Sequence, residues 1–74
     1  MRWSQSFRLV AADLWVEVRL THIDGRWIAS ADTPDGPSLG LGYLPTEALE
    51  QSLAPFEGAI DDLMRGAPEI PYWR

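Results

Sequence analysis

The dipeptide Asp24-Gly25 constrains this chain more than any other feature, because it stands between two runs of alternating apolar residues. Asp-Gly supplies the positive φ angles of a type I′ turn, whose twist matches that of two paired strands. With these two as the central turn residues, Ile23 faces Arg26, His22 faces Trp27, Leu20 faces Ala29 and Val18 faces Ala31. Over residues 15–20 and 26–32 this register collects Val16, Val18, Leu20, Trp27, Ala29 and Ala31 on one face. Glu17, Arg19, Thr21, Ile28, Ser30 and Asp32 fall on the other. One apolar and one mostly polar face mark a sheet covered on a single side, and alanines opposite large aliphatics leave room for a helix to lie close.

That helix is expected over residues 45–65. Pro45 suits its first position and Glu47 its first turn, where the helix dipole favours negative charge. Leu49, Leu53, Phe56, Ile60 and Leu63 recur at steps of four and three, which draws one apolar stripe. Pro55 cannot donate to residue 51, so the expectation is one kinked helix, or two segments nearly in line. Between hairpin and helix, residues 33–42 hold Pro34, Gly36, Pro37, Gly40 and Gly42 and begin as a loop, with a short third strand over 38–41. Residues 1–14 fit helical spacing through Phe7, Val10, Ala11 and Leu14, and strand spacing through Phe7, Leu9 and Ala11. The neighbouring sheet tilts the reading toward an extra N-terminal strand. Gly66 is the expected stop, and 67–74 a proline-bearing tail. The fold class is α+β in the order β-β-β-α: a three-stranded antiparallel sheet, with an additional N-terminal strand in view, carrying one kinked amphipathic helix on one face.

At 74 residues without cysteine, this is one domain with neither a disulfide framework nor a thiolate metal site. The net charge is −5, and the six arginines are dispersed along the chain and outnumbered by eleven carboxylates, which argues against direct nucleic-acid or anionic-membrane binding. An acidic surface suits solubility or a basic protein partner. No stretch approaches a membrane span and no signal-peptide apolar region opens the chain, so a cytoplasmic location is expected.

Catalytic constellations are thin. His22 is the single histidine and sits beside a turn, packed against Trp27 in the expected register. Asp13, Glu17, Asp32 and Asp35 lie on or near strand ends, but a two-metal cluster needs them converged on one face. Glu17 and Asp32 oppose each other on the solvent side, where they sit in water or pair with Arg19. Gly36, Gly40 and Gly42 lack the spacing and the Lys-Ser/Thr of a phosphate loop. No cofactor is implied.

The order hairpin, Gly-bounded strand, helix and proline-bearing tail resembles the HicB-like antitoxin domain. Gly25-Arg26-Trp27-Ile28-Ala29 looks like that family's second strand, and residues 34–42 like its loop and third strand. Pro45-Thr46-Glu47-Ala48-Leu49 looks like its helix start, and Ile70-Pro71 like its terminal segment. Leu44 stands where the family has a capping threonine, Pro55 breaks the helix, the loop is longer, and residues 1–12 have no counterpart. The resemblance implies a partial ribonuclease-H-like module without catalytic carboxylates that neutralises a small basic RNA-cleaving toxin. No DNA-binding segment is expected, hence no operator binding.

These readings define a non-enzymatic interaction module. Its candidate interface comprises Trp3 and Trp73 at the termini, Ser38, Leu39 and Leu41 on an uncharged edge strand, and Glu50, Glu57 and Asp61 on the helix. A homodimer through that edge, the tryptophan-bearing termini or both is expected of so small a chain. The competing reading is a small enzyme or ligand-binding protein using a groove between loop 33–42 and the helix.

Overall fold

The computed structural model describes residues 2–12 and 14–67. Four strands, β1 (Arg2–Ala11), β2 (Leu14–Ile23), β3 (Arg26–Thr33) and β4 (Gly36–Gly42), form an antiparallel meander in the order β1-β2-β3-β4. Two helices follow, α1 (Pro45–Ser52) and α2 (Ile60–Arg65), with a 3₁₀ turn over Ala54–Phe56 between them. The expected β2–β3 register holds residue for residue, from Ile23↔Arg26 to Val18↔Ala31, around Asp24 (φ 51°) and Gly25 (φ 76°).

The additional N-terminal strand is present, and two other sequence expectations need correction. The sheet has four strands, because residues 2–11 pair along their whole length with β2. Helical spacing in that segment is incidental, since Leu9 is buried while Phe7 and Ala11 share its face as a strand. The third strand starts earlier than residue 38, because Pro34 and Asp35 form a tight turn whose Thr33 side chain accepts the Asp35 N–H at 3.2 Å. The single kinked helix is two short helices. Pro55 has no N–H to give, and its ring disfavours helical backbone at Ala54. The chain resumes as a 3₁₀ turn, then passes through extended Glu57 (ψ 136°) and Gly58 (φ 95°) before α2 begins.

The stripe nonetheless stays on the sheet. Leu49, Leu53 and Leu63 are fully buried with Leu9, Val16, Val18, Leu20 and Trp27, whereas Phe56 and Ile60 are half-buried at the break. α1 covers β3 and β4, and α2 lies over β1. At the β4 crossing the two layers meet backbone to backbone. A Cβ at Gly40 would overlap the Ala48 carbonyl oxygen and stand 2.5 Å from Ser52 N. Small residues on both sides, Ala29 and Gly40 against Ala48 and Ser52, are what let the helix settle this close.

Candidate functional site

Two surfaces of opposite character result from this layering. Even-numbered residues of β1 and β3 and odd-numbered residues of β2 and β4 point away from the helices. Antiparallel pairing therefore puts Arg2, Arg8, Arg19 and Arg26 on one uncovered face, although they lie far apart in sequence. On this face Arg8 donates to Glu17 Oε1 at 2.8 Å and stacks over Trp15, 4.4 Å from the ring centroid. Arg19 Nε donates to Ser6 Oγ at 3.5 Å. Glu17 thus pairs with Arg8 on β1 rather than with Arg19. The exposed apolar side chains of the face are Val10, Trp15, Leu39 and Leu41.

The helix layer carries the opposite charge. Glu47, Glu50, Glu57, Asp61 and Asp62 are exposed there, accompanied by Arg65, which donates to Asp62 at 3.0 Å. Exposed Tyr43 and Leu44 lead into α1 beside Glu47. Leu44 makes no side-chain cap, as its chemistry requires. Glu47 substitutes by reaching back to accept the Tyr43 N–H at 3.1 Å, half of a capping box shifted by one residue.

The candidate interface is accordingly divided. Leu39 and Leu41 lie on the open sheet face, but Ser38 turns toward the helix side, half-buried and paired with Ala31. Glu50, Glu57 and Asp61 are all on the outer side of the helix layer. Trp3 is not a loose terminal aromatic: it sits in β1 opposite His22 and meets Trp27 edge to face at 5.8 Å. Trp73 and the tail 68–74 lie outside the described residues. The β4 edge, expected to be open, lacks a free N–H at two of its three outward positions. The Leu41 N–H, which points outward, donates to Gln51 Oε1 at 3.2 Å, and Pro37, two pairs away in the same outward phase, has no N–H.

Of the chemistry-bearing residues, Glu17, Arg19 and Asp32 share a shallow recess of the open sheet face with Ser6 and Ser30. His22 stacks on Trp27 with 4.4 Å between centroids, as a turn-proximal packed histidine. Among the described residues no group of three or more His, Asp or Glu side chains is placed to hold a metal ion. Asp35 belongs to the β3–β4 turn, and Asp13 lies outside the described residues. Between loop 33–42 and the helix there is no space at Gly40, where α1 rests directly on β4. An open cleft of about 690 Å³ lies where the end of that segment (Leu41) and the start of α1 (Glu47) meet the β2–β3 turn, with Ile23, Arg26, Ile28 and Tyr43 completing its lining. No helix among the described residues is long and apolar enough to cross a membrane. No family model, curated protein or solved structure matches this chain.

Proposed function

We propose that this chain is a non-catalytic protein-binding module of HicB-like type that holds a small basic partner against the outer surface of its helix layer. The observation that carries the reading is the segregation of charge. Five exposed carboxylates share the helix layer with Arg65, while the opposite face gathers four arginines against the two carboxylates Glu17 and Asp32. Such a field attracts a cationic protein to one side of the molecule and orients it before contact. Leu44, 58% exposed, precedes Pro45 at the start of α1 and provides the apolar anchor that a charged rim alone lacks. The HicB-like resemblance supplies the identity of the partner class, a basic RNA-cleaving toxin.

Co-expression with a short basic protein encoded beside this one provides the test. The module should relieve that protein's growth arrest, and the triple variant Glu50→Arg, Glu57→Arg, Asp61→Arg should fail to do so while remaining folded. A competing reading assigns the chain its own chemistry, with the cleft beside Arg26 and Tyr43 or the Glu17–Asp32 side as the place for it. RNA cleavage by the purified chain with Mg²⁺ or Mn²⁺ that disappears in Asp32→Asn would overturn the non-catalytic assignment.

A further inference from the structure

The two edges of the sheet are not equally protected. A two-residue type I′ loop is closed by a doubly hydrogen-bonded pair, here Ile23 with Arg26, and such pairs then alternate along the ladder. Carried across the sheet, this phase sends the N–H and C=O groups of Pro37, Leu39 and Leu41 outward from β4. The Leu41–Gln51 hydrogen bond agrees with it. On β4 proline removes one of those donors and Gln51 occupies another, so among the described residues Leu39 carries the one outward N–H left without a partner.

On the opposite side the same phase turns the N–H and C=O groups of Arg2, Ser4, Ser6, Arg8 and Val10 outward from β1. None of these residues is proline or glycine, and none makes a backbone hydrogen bond outside the β1–β2 ladder among the described residues. Among the described residues, the outward groups of β1 have no backbone partner and form a template for another strand. Near Val10 the end of α2 comes close to this edge, where a Cβ on Gly66 would stand 3.1 Å from the carbonyl oxygen.

We infer that β1 pairs antiparallel with β1 of a second copy of this chain, joining two four-stranded sheets into one continuous sheet about a two-fold axis at Ser6. The register follows from the side chains. A two-fold axis perpendicular to the sheet keeps each residue on its own face, so even positions must oppose even ones. Centring on Ser6 sets Arg2 opposite Val10, Ser4 opposite Arg8 and Ser6 opposite itself, which uses all five outward residues and faces no like charges. Shifting the centre to Gln5 would place Arg2 against Arg8, a destabilising like-charge pair. Arg8 is already tied to Glu17, so its charge does not block the approach. On the helix side Phe7, half-buried at the margin of the core, gains its counterpart from the second copy as a diagonal neighbour. This surface is separate from the acidic helix surface and goes beyond the role assigned to it.

The test is the mass of the full chain by sedimentation across micromolar concentrations, with two variants at the axis. Ser6→Pro removes the central outward N–H at an edge position that tolerates proline, and Ser6→Lys sets two ammonium groups face to face. The parent should sediment at twice its 8.3 kDa mass and both variants at the monomer mass, with unchanged circular dichroism. A monomeric parent overturns the inference, as does a dimer that persists in both folded variants. Loss of the dimer with retained binding of a basic partner leaves the assigned function intact, so the two claims fail separately.

Discussion

At the scale of single residues, Gly40 is the position the fold can least change. An added methyl group would meet the Ala48 carbonyl and Ser52 N, which are backbone atoms and cannot rotate away. Gly40→Ala should therefore lift α1 off β4 and cost about 3 kcal/mol or more, the upper range for overpacking, read as a lowered denaturation midpoint. The periodic stripe in the sequence suggests equal weight for Phe56 and its neighbours, and here the structure discriminates. Leu53→Ala empties a fully buried site and should cost about 2–5 kcal/mol, whereas half-buried Phe56 should cost less when truncated. Parallel urea melts of the two variants check the ranking. Gly40 is visible in the sequence only as one of several loop-region glycines. Its role depends on which residue of α1 crosses it, a long-range fact with no local signal.

At the scale of elements, local chemistry and long-range pairing differ in how much they reveal. The β2–β3 hairpin is legible because Asp24-Gly25 fixes the turn type, and the turn type fixes the register. β1 is ambiguous because Phe7, Val10, Ala11 and Leu14 match helical spacing, and the partner that selects the strand lies across a turn. The apolar stripe of the helices keeps its phase although the helix does not. Leu53 and Leu63 both reach the core from either side of a 3₁₀ turn, so periodicity alone does not reveal the break. Protection of the β4 edge is likewise invisible to sequence, because it depends on Gln51 passing over a glycine to meet Leu41 N. Gln51→Ala should leave the fold intact, cost about 0.5–1.5 kcal/mol for one lost hydrogen bond, and release the Leu41 amide. Amide hydrogen exchange read by NMR should show faster exchange at Leu41, while Ile28 in the central β2–β3 ladder keeps its protection. Equal protection in parent and variant would mean that the Gln51 bond contributes nothing to sealing that edge.

At the scale of the whole molecule, topology converts a dispersed charge pattern into a dipolar one. Arg2, Arg8, Arg19 and Arg26 look scattered along the chain, and antiparallel pairing with alternating side chains is what brings them to one face. The carboxylates of residues 47–62 are left on the other side by the amphipathic character of the helices. The sequence makes the acidic helix surface legible, yet hides the arginine excess, four against Glu17 and Asp32, on the face opposite it. The central claim is that the acidic side of this two-layer module is what engages a basic protein. Its most direct measurement is the affinity for that protein by titration calorimetry as salt is raised, in the parent and in the triple variant Glu50→Arg, Glu57→Arg, Asp61→Arg. Exposed charges act over a Debye length that shrinks from about 10 Å at 0.1 M salt to about 3 Å at 1 M. The account predicts affinity that falls steadily with salt in the parent and is lost in the triple variant at low salt. Affinity indifferent both to salt and to reversal of the three carboxylates would contradict it.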